Sequence, residues 1–405
     1  MHCANVGRDS QLIWRIHLLR MLVASERWRD RDALRISNGL IEAVLLSGGG
    51  HFAELRLASP NSSSVNCLWD APWLTSDPSA AGTHELASLY GGGPVGRFLA
   101  GYTGHALCLD NFGMPTDEEA RHGIPLHGEA ASLAWRMETT PKGCVCRTNL
   151  PNAMLSIERK VSLSEVSSLI LIDECVTNHG EANREIHWVQ HVSLGPPFLS
   201  PGSSSVHASL DLAITSPMGY EGHEMLRGGE IFDWPEATSV EGSAVDLQLP
   251  FLRAGVGFVA GARVDVSRQV GYVAALNWNY GIALVYCFRR RDFPWVAIWE
   301  ENKARMDRPW DGSAQVRGME FGTTPMPLGR EAMRKQGSLF DMPTSIILTP
   351  GECRRTCYAI SIAAVPSHWT KIVNIEASRH ALTIVGYESN DRIDIEADDL
   401  RGLLQ

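Results

Sequence analysis

The sequence predicts an all-β protein, built as a large antiparallel β-sandwich with decorated loops and few short helices. Segments in which apolar and polar residues alternate recur from about residue 133 onward. Such alternation is typical of half-buried strands. Helical periodicity is weak between residues 34 and 370, and strands do not alternate with helical segments as in a parallel α/β fold.

The composition favours one large folded domain. The chain has 405 residues, of which 44% are apolar and 20% charged, so it can bury a sizeable core. No low-complexity linker or fixed repeat divides it, and large sandwiches can form one domain. We therefore predict a single domain over residues 31–405. Residues 1–30 are predicted to be an N-terminal extension, either an amphipathic helix or a segment upstream of the true start.

Turn residues and alternation locate the strands. The Asn38-Gly39 pair predicts a hairpin after the strand that begins at Leu34, and three glycines at 48–50 predict a turn into a strand over 51–57. Further strands are predicted over 153–161, 168–176, 186–192, 245–249, 270–276, 282–288, 295–300, 345–348 and 355–363.

Charge and cysteine usage limit the partners and the compartment. The net charge of −10 argues against nucleic acid, because phosphate binding needs a basic face. No apolar stretch is long enough to span a membrane. The nine irregularly spaced cysteines match no zinc pattern, and we predict that they are reduced core residues of a cytoplasmic protein.

Histidines give the first candidate site. His127 lies two residues after Pro125 and directly before Gly128, which predicts a side chain at the mouth of a sheet. His187 and His191 would share one face of a strand, while Trp188 and Gln190 would share the other. A face with two histidines predicts a polar cleft, although any one of these residues could be an ordinary core or surface histidine.

Carboxylates give the second candidate site. Glu320 lies in an apolar strand between Gly318 and Gly322, so it is either ion-paired, with Arg317 or Arg330, or functional. Glu300 and Glu301 end another apolar strand and would point to opposite faces.

An arginine and several tryptophans complete the candidates. Arg97 follows the Gly91-Gly92-Gly93-Pro94 segment, which predicts an irregular loop that presents Arg97 to a ligand or to an ion pair. The phosphate-loop pattern is absent there. Among the twelve tryptophans, Trp299 lies in a predicted strand, where its ring could stack on a sugar or pack in the core.

The order of these motifs resembles that of the aldose 1-epimerase (galactose mutarotase) superfamily over about residues 34–365. In that family an arginine, a His-Gly before a tryptophan, a second histidine, and a glutamate with a proline five residues later occur in this order. Arg97, His127, His191 and Glu320 match these positions. The aromatic residue that usually follows the second histidine is missing, so the resemblance carries the fold but not a galactose or glucose specificity.

The resemblance implies a galactose mutarotase-like supersandwich that binds a small-molecule sugar and needs no cofactor or metal. It implies Glu320 as the catalytic base and His191 as the acid that anomerise the sugar. Arg97 and His127 would bind its hydroxyls, and we add the neighbouring side chains as substrate-binding candidates: His187, Trp188, Gln190 and Trp299.

Two other functions are compatible with the sequence. One is a non-catalytic carbohydrate-binding protein on the same fold. The other is a carbohydrate lyase or hydrolase, and a hydrolase would need two carboxylates about 5–9.5 Å apart, such as Glu320 with Glu300 or Glu301.

Overall fold

Two antiparallel sheets form the body of the protein. The computed structural model describes residues 21–58, 65–80, 87–387 and 391–405. The first strands are β1 (Leu22–Trp28), β2 (Arg31–Ser37), β3 (Ile41–Leu46), β4 (Phe52–Leu57), β5 (His105–Asp110), β6 (Arg136–Thr140), β7 (Gly143–Leu150), β8 (Leu155–Leu163), β9 (Leu169–Asn178), β10 (Arg184–Leu194), β11 (Ser204–Ala208), β12 (Leu210–Thr215) and β13 (Ile231–Asp233). The remaining strands are β14 (Glu236–Thr238), β15 (Ala244–Asp246), β16 (Val256–Val264), β17 (Val270–Asn277), β18 (Ile282–Arg289), β19 (Trp295–Asn302), β20 (Gln315–Gly322), β21 (Ser338–Leu339), β22 (Met342–Pro343), β23 (Ile346–Leu348), β24 (Cys353–Ala364), β25 (Ile372–Ala377), β26 (Ala381–Gly386) and β27 (Arg392–Glu396).

Helices in the described part of the chain are short. They are the α-helices α1 (Gly93–Gly101), α2 (Asp117–Arg121), α3 (Arg330–Gln336) and α4 (Arg401–Leu404), and the 3₁₀ helices Ala87–Tyr90 and Ala130–Ser132. None of these helices is long and apolar enough to cross a membrane.

The strand order explains where the core lies. The 12-stranded sheet runs β1-β2-β3-β4-β5-β10-β20-β19-β16-β12-β13, with β23 paired to β10, and the 8-stranded sheet runs β11-β17-β18-β24-β9-β8-β7-β6. Leu107, Trp188 and Phe321 of the larger sheet and Ile172 and Ile360 of the smaller one share one buried apolar cluster. This confirms the predicted antiparallel sandwich, with its core between the sheets.

The hairpin predicted at Asn38 joins β2 and β3. The Asn38 Oδ1 atom accepts the backbone N–H groups of Leu40 and Ile41, both at 2.9 Å. Its Nδ2 atom donates to the backbone carbonyls of Ser164 and Ser167. One side chain therefore closes the turn and ties it to the loop that precedes β9.

A small third sheet covers the outer face of the 8-stranded sheet. It consists of β25, β26 and β27. Ile375 and Ile384 of this sheet pack with Val285 and Ala359 in a second buried cluster. The helix α4 follows this sheet at the end of the described chain.

Four sequence predictions need correction. Leu22–Trp28 is a strand paired with β2, so the sandwich begins before residue 31, and residues 1–20 lie outside the described residues. The strand predicted over 245–249 is only Ala244–Asp246. The segment that contains Arg97 is the helix Gly93–Gly101 rather than an irregular loop, because a proline is tolerated in the first turn of a helix.

The fourth prediction that needs correction is that all cysteines are reduced. Cys175 and Cys353 form a disulfide between β9 and β24, although 178 positions separate them in the chain. Only the pairing of these two strands brings the thiols together. The other cysteines in the described residues are free and buried, as predicted. A cytoplasmic location remains a prediction.

Candidate functional site

The alternation of β10 places two sets of side chains on opposite faces of the 12-stranded sheet. Trp188, Val192 and Leu194 face the core between the sheets. His191 and Ser193 therefore lie on the face turned away from the smaller sheet.

Strand β20 brings a carboxylate to His191. The register joins Ser193 to Gly318 and Val189 to Gly322, which sets His191 opposite Glu320. A Cβ atom at Gly318 would lie 2.1 Å from the Glu320 Oε1 atom. Glycine at 318 thus leaves the space that the carboxylate occupies.

His191 and Glu320 form a buried pair. The His191 Nε2 atom lies 3.4 Å from the Glu320 Oε1 atom, and the two side chains are only 4% and 2% exposed. Burial raises the pKa of Glu320 well above its usual range and lowers the pKa of His191 to about 3. Burial therefore favours a protonated Glu320 beside a neutral imidazole.

The arginines expected as partners of Glu320 are bound elsewhere. Arg317 forms an ion pair with Glu300. Arg330 forms ion pairs with Asp110 and Glu119. Within the described residues, His191 is the polar side chain that contacts Glu320. This arrangement is unusual for a structural carboxylate, because buried charges normally have cationic partners.

Two hydroxyl groups orient the His191 ring. Its Nδ1 atom lies 3.2 Å from the Ser193 Oγ atom and 3.4 Å from the Tyr102 hydroxyl, and the two hydroxyls are 2.5 Å apart. If the neutral ring donates its Nδ1–H to one of these hydroxyls, its Nε2 lone pair faces Glu320 and can accept a proton from it.

His127 lies beside His191. The ring centroids of the two histidines are 5.2 Å apart, and Phe98 and Phe112 contact the His127 ring at 4.9 and 5.2 Å. The His127 Nδ1 atom accepts the Gly113 N–H, so the proton lies on Nε2. Burial, with smaller contributions from His191 and Arg305, lowers the pKa of His127 well below its usual range. This histidine is therefore a neutral hydrogen-bond donor.

Aromatic residues surround the pair. Trp299 lies 6.1 Å from the His191 ring, and Trp310 lies 6.0 Å from Trp299. These rings belong to one buried cluster with Tyr102, Tyr220 and Phe98. His127 and Trp299 are 8% and 9% exposed, against 3% for His191 and 2% for Glu320, so the reacting pair lies deeper than these two side chains.

Arg97 lies at the edge of this arrangement. It is half-buried on α1, and its Nη1 atom donates to the Gly123 carbonyl. The next residue, Phe98, is the one that contacts His127.

His187 shares the face of His191 but lies four residues away along β10. Its Nδ1 atom accepts the Phe112 N–H, and its buried Nε2 atom has no hydrogen-bond partner among the described residues. Burial lowers the pKa of His187 to about 3.

Trp188 and Gln190 point to the opposite face, away from His191. The Trp188 Nε1 and Gln190 Nε2 atoms donate to Glu174 at 2.9 and 2.7 Å in the core. The substrate-binding role predicted for them is therefore wrong in geometric terms, because their polar atoms are occupied between the sheets.

The carboxylate pairs expected of a hydrolase are not formed. Glu300 lies on the core face and pairs with Arg317. Glu301 shares the face of Glu320, but the register places it opposite Val316, four residues along the strands, which is about 13 Å. Neither pair fits the separation of about 5–9.5 Å that glycosidases use.

Several residues at the site were not predicted from the sequence. They are Tyr102, Ser193, Phe98, Tyr220, Trp310 and Arg305. Ser193 could have been found from the two-residue spacing after His191, but the others come from loops or helices whose approach to β10 and β20 depends on the tertiary fold.

The fold defines a class of protein: the chain has a galactose mutarotase-like β-sandwich. No family model and no curated protein matches the sequence. Among solved structures, it is similar to a galactose mutarotase-like protein from Clostridium acetobutylicum, with 14% identity, a TM-score of 0.55 and coverage of 85% of this chain and 99% of that chain. It is also similar to a proposed aldose 1-epimerase from Klebsiella pneumoniae, with 16% identity, a TM-score of 0.58 and coverage of 84% and 80%. These likenesses confirm the predicted fold resemblance at low sequence identity.

Proposed function

We propose that the protein is an isomerase of the aldose 1-epimerase type, which interconverts the anomers of a sugar. The observation that carries the proposal is the buried contact between His191 and Glu320 inside an aromatic-lined site. Such rings can stack on the C–H face of a pyranose. The names of structurally similar proteins support a carbohydrate-related role but do not fix the reaction.

The chemistry needs one acid and one base. Glu320 removes the proton from the anomeric hydroxyl while His191 gives a proton to the ring oxygen. The C1–O5 bond breaks and a carbonyl forms at C1. After rotation about the C1–C2 bond, His191 takes back the O5 proton, Glu320 returns its proton to O1, and the ring closes on the other face. Each group would contribute about 10²–10⁴-fold.

The electrostatics of the site suit the open-chain intermediate. At that stage Glu320 is protonated and His191 is neutral, and burial favours these same forms. The closed-ring complex requires the proton to move from Glu320 to His191. Their 3.4 Å contact provides the route. No other proton donor or acceptor is required for a full cycle.

Other groups would hold the sugar. His127 offers its Nε2 proton to a hydroxyl, and Trp299 offers a ring face next to the pair. Arg97 and His187 remain proposals for outer contacts.

Anomer exchange measured by NMR tests the proposal. Freshly dissolved aldoses from a panel should equilibrate faster with the wild type than in buffer, and Glu320→Gln should lose at least about 10²-fold of that acceleration. Glu331→Gln is the control, because Glu331 is exposed on α3 and pairs only with Lys335 among the described residues.

One result would reject the epimerase proposal, and another would reject the assignment of its base. If sugars raise the melting temperature but no sugar is anomerised, the protein is a carbohydrate-binding module on this fold. If Glu320→Gln retains the full rate, the base has been assigned to the wrong residue.

A further inference from the structure

Arg305 lies at the edge of the site, on the loop between β19 and β20. Its guanidinium carbon is 4.8 Å from the Tyr220 ring centroid, 5.3 Å from that of Trp310 and 5.9 Å from that of Trp299. Three aromatic faces around one guanidinium fix its position and offset part of the cost of removing it from water.

A buried carboxylate anchors this arrangement. Glu301 accepts the backbone N–H of Arg305 at 3.1 Å and the hydroxyl of Tyr220 at 2.8 Å. That hydroxyl in turn accepts the Trp299 Nε1–H at 2.8 Å. The backbone of Arg305 and two of the rings against its side chain therefore share one anchor, so the guanidinium is held in place before any ligand binds.

The guanidinium itself has little to bind within the protein. Among the described residues, its polar contact is the Glu221 carboxylate at 3.7 Å, beyond hydrogen-bond distance, and Glu221 is 74% exposed. Arg305 is 27% exposed and has five N–H donors in a planar fork. A positioned arginine with free donors is suited to bind a carboxylate or phosphate.

Arg305 and His191 lie near the same tryptophan ring. The Trp299 ring centroid lies 5.9 Å from the Arg305 guanidinium carbon and 6.1 Å from the His191 ring centroid. The guanidinium carbon and the His191 ring are therefore at most about 12 Å apart, a separation that a pyranose with a hydrogen bond of about 3 Å at each end can span.

We infer that Arg305 recognises an anionic substituent of the sugar, a carboxylate or a phosphate at the end of the ring away from C1. This inference rests on the proposed function only for the position of C1 beside His191 and Glu320. The shared chemistry is an anionic sugar, and the experiment separates its two forms.

Binding and anomer exchange should be measured on three matched ligands in the gluco and galacto series: the neutral aldose, the uronate and the 6-phosphate. The variants are Arg305→Met, Glu221→Gln and the control Arg253→Met, whose exposed side chain pairs with Glu241. The wild type should bind one anionic form on the order of 10- to 100-fold more tightly than the neutral sugar. Arg305→Met should abolish that preference and leave the affinity for the neutral aldose unchanged, and Arg253→Met should change neither.

Glu221→Gln keeps the inference testable if Arg305→Met unfolds. Removing the competing carboxylate should strengthen binding of the anionic sugar and leave the neutral sugar unaffected. A preference for the uronate over the 6-phosphate assigns the site to carboxylates, and the reverse assigns it to phosphates.

The outcomes separate the inference from the proposed function. If anionic sugars bind through Arg305 but are not anomerised, the epimerase proposal fails and the inference stands. If neutral and anionic sugars bind equally, or Arg305→Met and Glu221→Gln change nothing, the inference is overturned whatever the rate of anomerisation. Absence of binding by any of these sugars overturns both.

Discussion

A carboxylate is buried against each face of β10, and the two carboxylates differ in their partners. On the core face, Glu174 forms an ion pair with Arg159 at 2.6 Å and accepts hydrogen bonds from Trp188 and Gln190. On the other face, Glu320 contacts only a neutral histidine among the described polar side chains. The first arrangement satisfies a charge. The second leaves a proton free to move, and this difference distinguishes a structural carboxylate from a candidate catalytic one.

Removing the core carboxylate should lower stability and spare anomer exchange, and this is the largest effect that we expect. Glu174→Ala leaves the guanidinium of Arg159 buried without its partner. The free energy of unfolding should fall by about 3–5 kcal/mol. Denaturant unfolding measures this loss, and anomer exchange per folded molecule should be retained.

Glu158→Ala is the matched control for that change. Glu158 lies on β8, where its side chain is 45% exposed and pairs with Arg147 on the surface. It should cost at most about 1 kcal/mol. A similar loss in both variants would mean that the buried ion pair has no special role in stability.

The pH dependence of stability gives the next largest effect. The unfolded pKa of Glu320 is 4.5 and its folded pKa is raised, so above pH 4.5 the unfolded chain releases a proton that the native state keeps. The stability that Glu320 contributes is thus present below pH 4.5 and is lost as the pH rises toward the folded pKa, by up to about 1.4 kcal/mol per pH unit.

Glu320→Gln removes this loss. The variant should therefore gain stability over the wild type as the pH rises from about 5 to about 7, measured by urea unfolding at each pH. The buried histidines common to both proteins, such as His51 and His207, give stability the opposite pH dependence. Their pKa values are lowered to about 3, so their contribution is lost as the pH falls from 6.5 toward 3, and it cancels in the comparison. Parallel pH profiles would show that Glu320 titrates normally.

The smallest effect is expected at the hydroxyls behind His191. Ser193→Ala removes one of the two groups at the Nδ1 atom, while the Tyr102 hydroxyl remains. The loss of one neutral hydrogen bond, about 1 kcal/mol, should lower kcat about fivefold with little change in KM. A change confined to KM would place Ser193 in sugar binding instead of in positioning the imidazole.

The candidate site could be read from the sequence only in part. His191 and Glu320 were candidates in the sequence because a strand face with two histidines predicts a polar cleft and a carboxylate in an apolar strand is either paired or functional, and the structure places the two side chains in contact. Arg305 was missed because a lone arginine in a loop has no local signal. Its role depends on three rings and a carboxylate that come from β19 and two separate loops.

The strand alternation, the Asn38 turn and the sharing of faces along β10 could be predicted from the sequence, because they follow from local periodicity and backbone preferences. The order of the strands in the sheets, which sets the faces that meet, is a tertiary property. The register of β10 with β20 sets His191 beside Glu320, and the pairing of β9 with β24 joins Cys175 to Cys353. Contacts between residues far apart in the chain arise from sheet order, and no local pattern encodes that order.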